Sequence, residues 1–184
     1  MTLAHFPGRD PFRMAAWRAP RGMRGWLTDD SSLTARIRAR CGRFSLKVVS
    51  QGKGVVLPDE MAALGVYRHG DLWQREVLLL ADGAPVVFAR SLVAGTSIPA
   101  AWHLLRQLGG RPLAAVLFDD PRVRRSPLEA ARLDARDPRW HDARQATGRP
   151  DLPPLWARRS AFHRSGSPLL ITEVFLPAIG SLAP

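Results

Sequence analysis

Cysteine is nearly absent from this chain. Cys41 stands alone, so no internal disulfide is available, and His5, His69, His103, His141 and His163 are scattered without the spacing of a metal site. Nor does any spacing argue for His103 and Cys41 as a catalytic pair; both read better as helix-face residues. No apolar run approaches the ~20 residues that a membrane-spanning helix needs. Residues 1–25, rich in Arg and Pro, lack the apolar core of a signal peptide. A cytoplasmic protein without stable membrane insertion is expected. Lysine is scarce too: 2 lysines against 25 arginines, with 16 acidic residues, leave a net charge of +11. Such a charge suits nucleic acid or an anionic membrane. The arginines, however, apart from the N-terminal segment and the cluster Arg122–Arg125, are spread through the chain amid Ala, Pro and Gly, a pattern that GC-rich codon usage also produces. No RNA-binding aromatic motif accompanies them, so a solvated charged surface is the preferred reading and nucleic acid is not an expected partner.

A length of 184 residues suits one domain with a sizeable core. Residues 1–25 read as a loosely ordered basic arm and 26–184 as the domain. Asp29, Asp30, Ser31 or Ser32 can cap a helix that carries Leu33, Ile37 and Cys41 at helical spacing and ends at Gly42. Residues 44–50 alternate as a strand, Gln51 to Gly54 mark a turn, and 58–64 suit a short helical turn. Asp82-Gly83 between the apolar runs 72–80 and 85–93 is a two-residue hairpin signal. Thr96 or Ser97 can cap a second helix, with Pro99 in its first turn and Gly109-Gly110 as its stop. Residues 112–118 read as a short apolar strand and 127–133 as a helix, and the polar, Arg- and Pro-rich segment 133–154 reads as a surface insertion. Residues 155–163 and 168–176 form a second hairpin around Ser165-Gly166. The expected class is α+β, an antiparallel sheet with helices covering one face.

Three charged residues stand out against this pattern. Side chains alternate along a strand, so Arg75 shares a face with Trp73, Val77 and Leu79. Arg90 shares one with Val86, Phe88 and Leu92, and Glu173 one with Leu169, Ile171 and Phe175. A tight turn at Asp82-Gly83 pairs Ala81 with Ala84 and Leu79 with Val86, and places Arg75 directly opposite Arg90. Like charges at opposed positions are destabilising, which argues for a small anion between them. A bulge near Pro85 would break that register. In the second hairpin Phe162 falls opposite Leu169 and Arg158 opposite Glu173, so Glu173 has a plain structural partner as well as a place in a shared pocket.

The runs Trp73-Gln74-Arg75-Glu76-Val77-Leu78-Leu79-Leu80-Ala81-Asp82-Gly83, Ala89-Arg90-Ser91, Leu108-Gly109-Gly110-Arg111-Pro112-Leu113, Leu117-Phe118, Arg158-Arg159-Ser160 and Ser165 through Glu173 to Pro177 occur in an order that resembles the chorismate pyruvate-lyases. The resemblance runs from about Trp26 to Pro177. It implies an antiparallel sheet of about six strands, an internal site, and a cofactor-free lyase that converts chorismate to 4-hydroxybenzoate and pyruvate, the entry step of ubiquinone synthesis. By motif position it implies that Leu33, Arg75, Leu113 and Glu173 contact the ligand, with Arg75 and Glu173 in the catalytic role. Leu33 stands where the family pattern has methionine, a change of little weight if the contact is made by the backbone. Chorismate carries two carboxylates, which two arginines can hold through forked hydrogen bonds; Arg75 and Arg90 are the expected pair. Hydrogen removal from ring carbon 4 can proceed by internal transfer to the enolpyruvyl methylene or through a protein base, for which Glu173 is the candidate. A monomer is expected. The alternatives are a non-catalytic binder of aromatic acids with the same fold and, less favoured, a basic nucleic-acid-binding protein.

Overall fold

The computed structural model describes residues 10–66, 72–113 and 117–182. In chain order its elements are α1 (Arg21–Thr28), α2 (Leu33–Arg38), β1 (Phe44–Lys53), α3 (Pro58–Leu64), β2 (Leu72–Ala81), β3 (Ala84–Ala94), β4 (Arg124–Arg125), β5 (Glu129–Leu133), α4 (Pro138–Thr147), β6 (Leu155–Arg164) and β7 (Ser167–Phe175). The seven strands form one antiparallel sheet in the order β1-β2-β3-β7-β6-β4, and β5 pairs with β6 farther along the same strand. Both expected hairpins are present. Asp82 and Gly83 have φ of 50° and 84°, Ser165 and Gly166 of 50° and 75°. This left-handed pair is the turn geometry that matches strand twist. No helix among the described residues is long and apolar enough to cross a membrane.

The class is α+β as expected, but the helices divide between the two faces. On one face Trp26 and Leu27 of α1 and Leu33 and Ile37 of α2 pack on Val77, Leu79, Val87 and Phe175. On the other, Trp140 and Ala143 of α4 meet Leu78, Phe88 and Val174, while Leu64 of α3 meets Leu72, Leu92 and Leu170. Each large apolar side chain so buried contributes ~1.5–3 kcal/mol. α2 begins at Ser32, whose Oγ accepts from the Ala35 amide at 3.3 Å, and it stops at Arg38, one turn short of Cys41.

The register of the first hairpin differs from the expected one at a single place. Ala81 pairs with Ala84 and Leu80 with Pro85, but Leu79 pairs with Val87, leaving Val86 as an extra residue. Pro85 has no amide hydrogen for the ladder and is tolerated in sheets at bulges and edges. The Val86 carbonyl instead accepts from the Leu176 amide at 3.0 Å. One inserted residue exchanges the two faces of the strand beyond it. Arg75 therefore faces Ser91, and Arg90 faces Glu76 on the opposite side of the sheet.

Other expectations are corrected. Residues 10–25 are not a loose arm: Phe12 is buried, Ala16–Arg18 is a 3-10 turn, and α1 crosses the supposed boundary at residue 25; residues 1–9 lie outside the described residues. The expected helix from Thr96 or Ser97 is replaced by two 3-10 turns, Gly95–Ser97 and His103–Gln107, anchored by buried Trp102, whose indole N–H donates to the Ser167 carbonyl. The run 127–133 contains strand β5 rather than a helix, because its alternation buries Ala131 and Leu133. Residues 114–116 of the strand expected over 112–118 lie outside the described residues, and the described ends carry no strand. The 133–154 segment is no surface insertion: α4 buries Trp140 and Ala143 in the core, and the Trp140 indole N–H donates to the Pro153 carbonyl at 2.9 Å.

That face also holds a buried ion network, which Arg139 of α4 joins. Arg90 pairs with Glu60 at 2.9 Å and Glu76 at 2.6 Å, and donates to the Val55 carbonyl. Arg139 pairs with Asp59 at 2.7 Å and Asp137 at 2.8 Å. Arg159 reaches Asp59, Glu129 and Asp10. Phe12 lies under both Arg139 and Arg159, with ring centroids 5.0 and 4.4 Å from the guanidinium carbons. Breaking a buried pair by removing one partner costs about 3–5 kcal/mol, because the other charge is left uncompensated. Glu60 is fully buried and also accepts from the Leu57 amide at 2.9 Å at the start of α3. Glu60→Ala should accordingly lose ~3–5 kcal/mol in urea unfolding. A loss below about 1 kcal/mol would show that the network contributes little to stability.

Candidate functional site

The cavity lies on the face that carries Arg75, between the sheet and a roof made by α2 and the segment around Leu113 and Phe118. Mouth included, its empty volume is about 640 Å³. Strand pairing sets out its floor in two rows. Arg75, Ser91, Ile171 and Ser160 are successive cross-strand partners, and so are Val77, Ala89, Glu173 and Arg158. Arg75 and Glu173 thus stand two strands and two residues apart on one face, roughly 12 Å between Cα atoms from standard strand spacings. A single aromatic ring with polar groups at opposite ends fits between two such side chains. Val77, Leu79, Ala89, Ile171 and Phe162 supply an apolar bed.

Arg75 is 3% exposed. Its Nη2 donates to the carbonyls of Gly109 at 2.6 Å and Arg111 at 3.3 Å, while its Nε is buried without a hydrogen-bond partner. Gly109 has φ of 51°, the left-handed conformation that glycine enters without steric cost, and the turn it makes brings these carbonyls to the guanidinium. No carboxylate among the described residues lies within ion-pair distance of Arg75. Burial, unrelieved by any acid, pushes its guanidinium below the ordinary arginine value. A buried cation held only by carbonyls, with a donor to spare and an open cavity before it, has the chemistry to accept an anion.

At the other side of the cavity Glu173 Oε2 accepts from Arg158 Nε at 2.5 Å. Arg158 also donates through Nη1 to the carbonyls of Trp26 at 2.8 Å and Asp29 at 2.6 Å, holding the C-terminal end of α1. The structural pairing of Glu173 with Arg158 is therefore present, and both side chains line the cavity. Glu173 Oε1 has no hydrogen-bond partner among the described residues, which leaves it able to accept one from a ligand.

Of the five residues singled out in the sequence, Leu33, Arg75, Leu113 and Glu173 line this cavity. Leu33 is buried in the first turn of α2, and Leu113 follows Pro112 in the roof. Arg90 is not there: the bulge at Val86 turns it to the opposite face, where Glu60 and Glu76 neutralise it. Among the cavity residues that sequence reasoning did not single out are Arg125, Ser160 and Phe162. Continuing the alternation of β6 from Arg158 would have found Ser160 and Phe162. Arg125 gave no such signal, since it stands in a short basic cluster that reads as solvated surface.

A family model described as chorismate lyase matches residues 15–182. A protein of Aromatoleum aromaticum named "Probable chorismate pyruvate-lyase" is 54% identical over 163 residues, covering 88% of each chain. One of the same name from Thiobacillus denitrificans is 44% identical, over 89% of this chain and 87% of its own. Among solved structures, PhnF from Mycobacterium smegmatis superposes with a TM-score of 0.57 at 16% identity, over 81% of this chain and 65% of that one. The C-terminal domain of the histidine utilization repressor from Pseudomonas syringae does so with 0.51 at 14%, over 74% and 93%. At these identities the two structures are evidence of a shared fold alone.

The chemistry of Arg75 makes a prediction that needs no turnover. Benzoate should raise the thermal unfolding midpoint of the wild-type chain, by the equivalent of about 2.7 kcal/mol at one hundred times its dissociation constant. It should do nothing for Arg75→Leu, whose cavity would be apolar at that end. Equal stabilisation of both proteins would show that Arg75 does not hold the anion.

Proposed function

The chain belongs to the chorismate lyase family, and we propose that it cleaves chorismate to 4-hydroxybenzoate and pyruvate in the cavity beneath α2. The observation that carries this reading is the pairing of ends. Buried Arg75 without a carboxylate stands at one side and Glu173 with a free oxygen at the other, across an apolar bed the width of one ring. In this reading Arg75 binds the ring carboxylate through its forked guanidinium. Glu173 Oε1 accepts the hydrogen bond of the 4-hydroxyl. Leu33 and Leu113 close the roof over the ring.

The chemistry follows from holding the substrate this way. The ether bond at ring carbon 3 breaks, and the hydrogen on carbon 4 moves to the terminal methylene of the enolpyruvyl group. Carbons 3 and 4 gain a double bond, which completes the aromatic ring, while the enol fragment becomes the ketone and methyl of pyruvate. Every atom is accounted for, and aromatisation supplies the driving force without a redox partner or metal. The protein's contribution is to fold the side chain back over carbon 4 and to keep water out. Internal transfer is the route favoured here, because a full proton on Glu173 would weaken its ion pair with Arg158. One chain carries all the groups named, so a monomer suffices. The product would be the ring precursor of ubiquinone, formed in the cytoplasm.

Incubation with chorismate alone, following pyruvate and 4-hydroxybenzoate, tests the reading; tight 4-hydroxybenzoate binding without turnover would mark a non-catalytic binder instead. Glu173→Gln then tests the mechanism. With internal transfer no proton passes through residue 173; glutamine keeps one acceptor oxygen, for which Arg158 and the 4-hydroxyl compete, and kcat should fall by less than roughly 100-fold, below the range for loss of a general base. Deuterium placed on carbon 4 should appear in the methyl group of pyruvate. Complete washout to solvent together with a larger loss would assign Glu173 as the base.

A further inference from the structure

We infer that Arg125 binds the second carboxylate of chorismate, the one that departs in pyruvate, and so distinguishes substrate from product. The inference rests on the chorismate reading above and assigns a residue to the half of the substrate that Arg75 and Glu173 leave unheld. Arg125 sits on β4 directly opposite Phe162 of β6. Its Nε donates to Ser160 Oγ at 2.9 Å and its Nη1 to the Asp30 carbonyl at 2.5 Å. Nη2 has no partner among the described residues. Its guanidinium carbon lies 5.1 Å from the Phe162 ring centroid and 5.9 Å from that of Phe118, two aromatic walls that restrict the plane of the fork.

Arg125 shares with Arg75 a feature that sets both apart from the buried arginines of the ion network. Arg90, Arg139, Arg158 and Arg159, all buried, each hold at least one carboxylate. Among the arginines that line the cavity, only Arg75 and Arg125 have none within ion-pair distance among the described residues. Burial lowers the Arg125 guanidinium below its usual value, and the neighbouring Arg158 lowers it further, while Glu173 acts in the opposite sense. Arg125 is thus an under-neutralised cation on the Glu173 side of the cavity.

Its position suits the departing fragment. Arg75 on β2 and Arg125 on β4 stand four strands and two residues apart, roughly 20 Å at the backbone from standard strand spacings, and both line the cavity. A ring whose carboxylate lies on Arg75 and whose 4-hydroxyl meets Glu173 carries its ether at carbon 3, next to that hydroxyl. The enolpyruvyl carboxylate then lies at the Glu173 end, within the range of Arg125 Nη2. 4-Hydroxybenzoate has nothing there to bind. Arg125 therefore acts on substrate binding and on the folded-back geometry of the side chain, and is silent towards the aromatic product.

The test compares wild type, Arg125→Gln and Arg125→Lys with three readouts: kcat/KM for chorismate, affinity for 4-hydroxybenzoate, and affinity for 3-(carboxymethoxy)-4-hydroxybenzoate. The last probe adds a carboxylate at carbon 3 and cannot react. In Arg125→Gln, kcat/KM should fall roughly 30- to 1,000-fold, the range for losing one charged partner in a desolvated site. Affinity for 4-hydroxybenzoate should change by less than about threefold, and any preference for the dicarboxylate should vanish. Arg125→Lys keeps the charge without the fork and the ring stacking, and should recover part of that preference; it also serves if the glutamine variant does not fold. Equal weakening of the two benzoates, or unchanged kcat/KM, would overturn the assignment. Failure of the wild type to release pyruvate would sink the parent reading instead, and the comparison of the two benzoates would still report on Arg125.

Discussion

Pro85 has no amide hydrogen to offer β2, and the sheet answers with one unpaired residue, Val86, whose carbonyl is taken up by Leu176. Nearly everything specific about the molecule depends on that offset. Downstream of it the odd and even positions of β3 exchange faces, so Ala89 and Ser91 lie on the cavity floor while Arg90 meets Glu76 beneath the sheet. Without the bulge, two arginines would oppose each other at the centre of the sheet, and the small side chains that leave room for a ring would be buried on the wrong side.

The sheet consequently separates two uses of arginine. On the lower face, Arg90, Arg139 and Arg159 are matched by Asp10, Asp59, Glu60, Glu76, Glu129 and Asp137, and the charges tie α3, α4 and the N-terminal segment to the strands. On the upper face, Arg75 and Arg125 are held by carbonyls and a hydroxyl only. Carbonyl oxygens orient a guanidinium without neutralising it, so charge remains for a ligand. The net charge of +11 is therefore a poor guide to nucleic acid: several of its arginines are internal, and what matters is which of them lack an acid.

Much of this was legible from the residues. Both two-residue turns, the pairing of Arg158 with Glu173, and a helix cap among residues 29–32 follow from local chemistry that needs no distant partner. The ordered motifs brought Leu33, Arg75, Leu113 and Glu173 to one cavity. Arg90 was misplaced because a bulge is a choice between two nearly equal ladders, made here by a proline and by an amide ninety residues away. Segment 133–154 looked like surface because most of its charged residues are indeed exposed; what ties it into the core is Trp140, Ala143 and Arg139, the last matched by Asp59 and Asp137, and composition does not reveal such matching. Arg125 was invisible for the converse reason: its lack of an acid is a fact of three-dimensional arrangement, not of its neighbours Arg122 and Arg124.

The roof is fastened to the sheet by charge. The backbone between α1 and α2 is held by Arg158, through the carbonyls of Trp26 and Asp29, and by Arg125, through that of Asp30. Both arginines also line the cavity. The same two guanidinium groups therefore shape the cavity wall and tie down the chain that leads into its roof, so a substitution at either one disturbs lining and roof together.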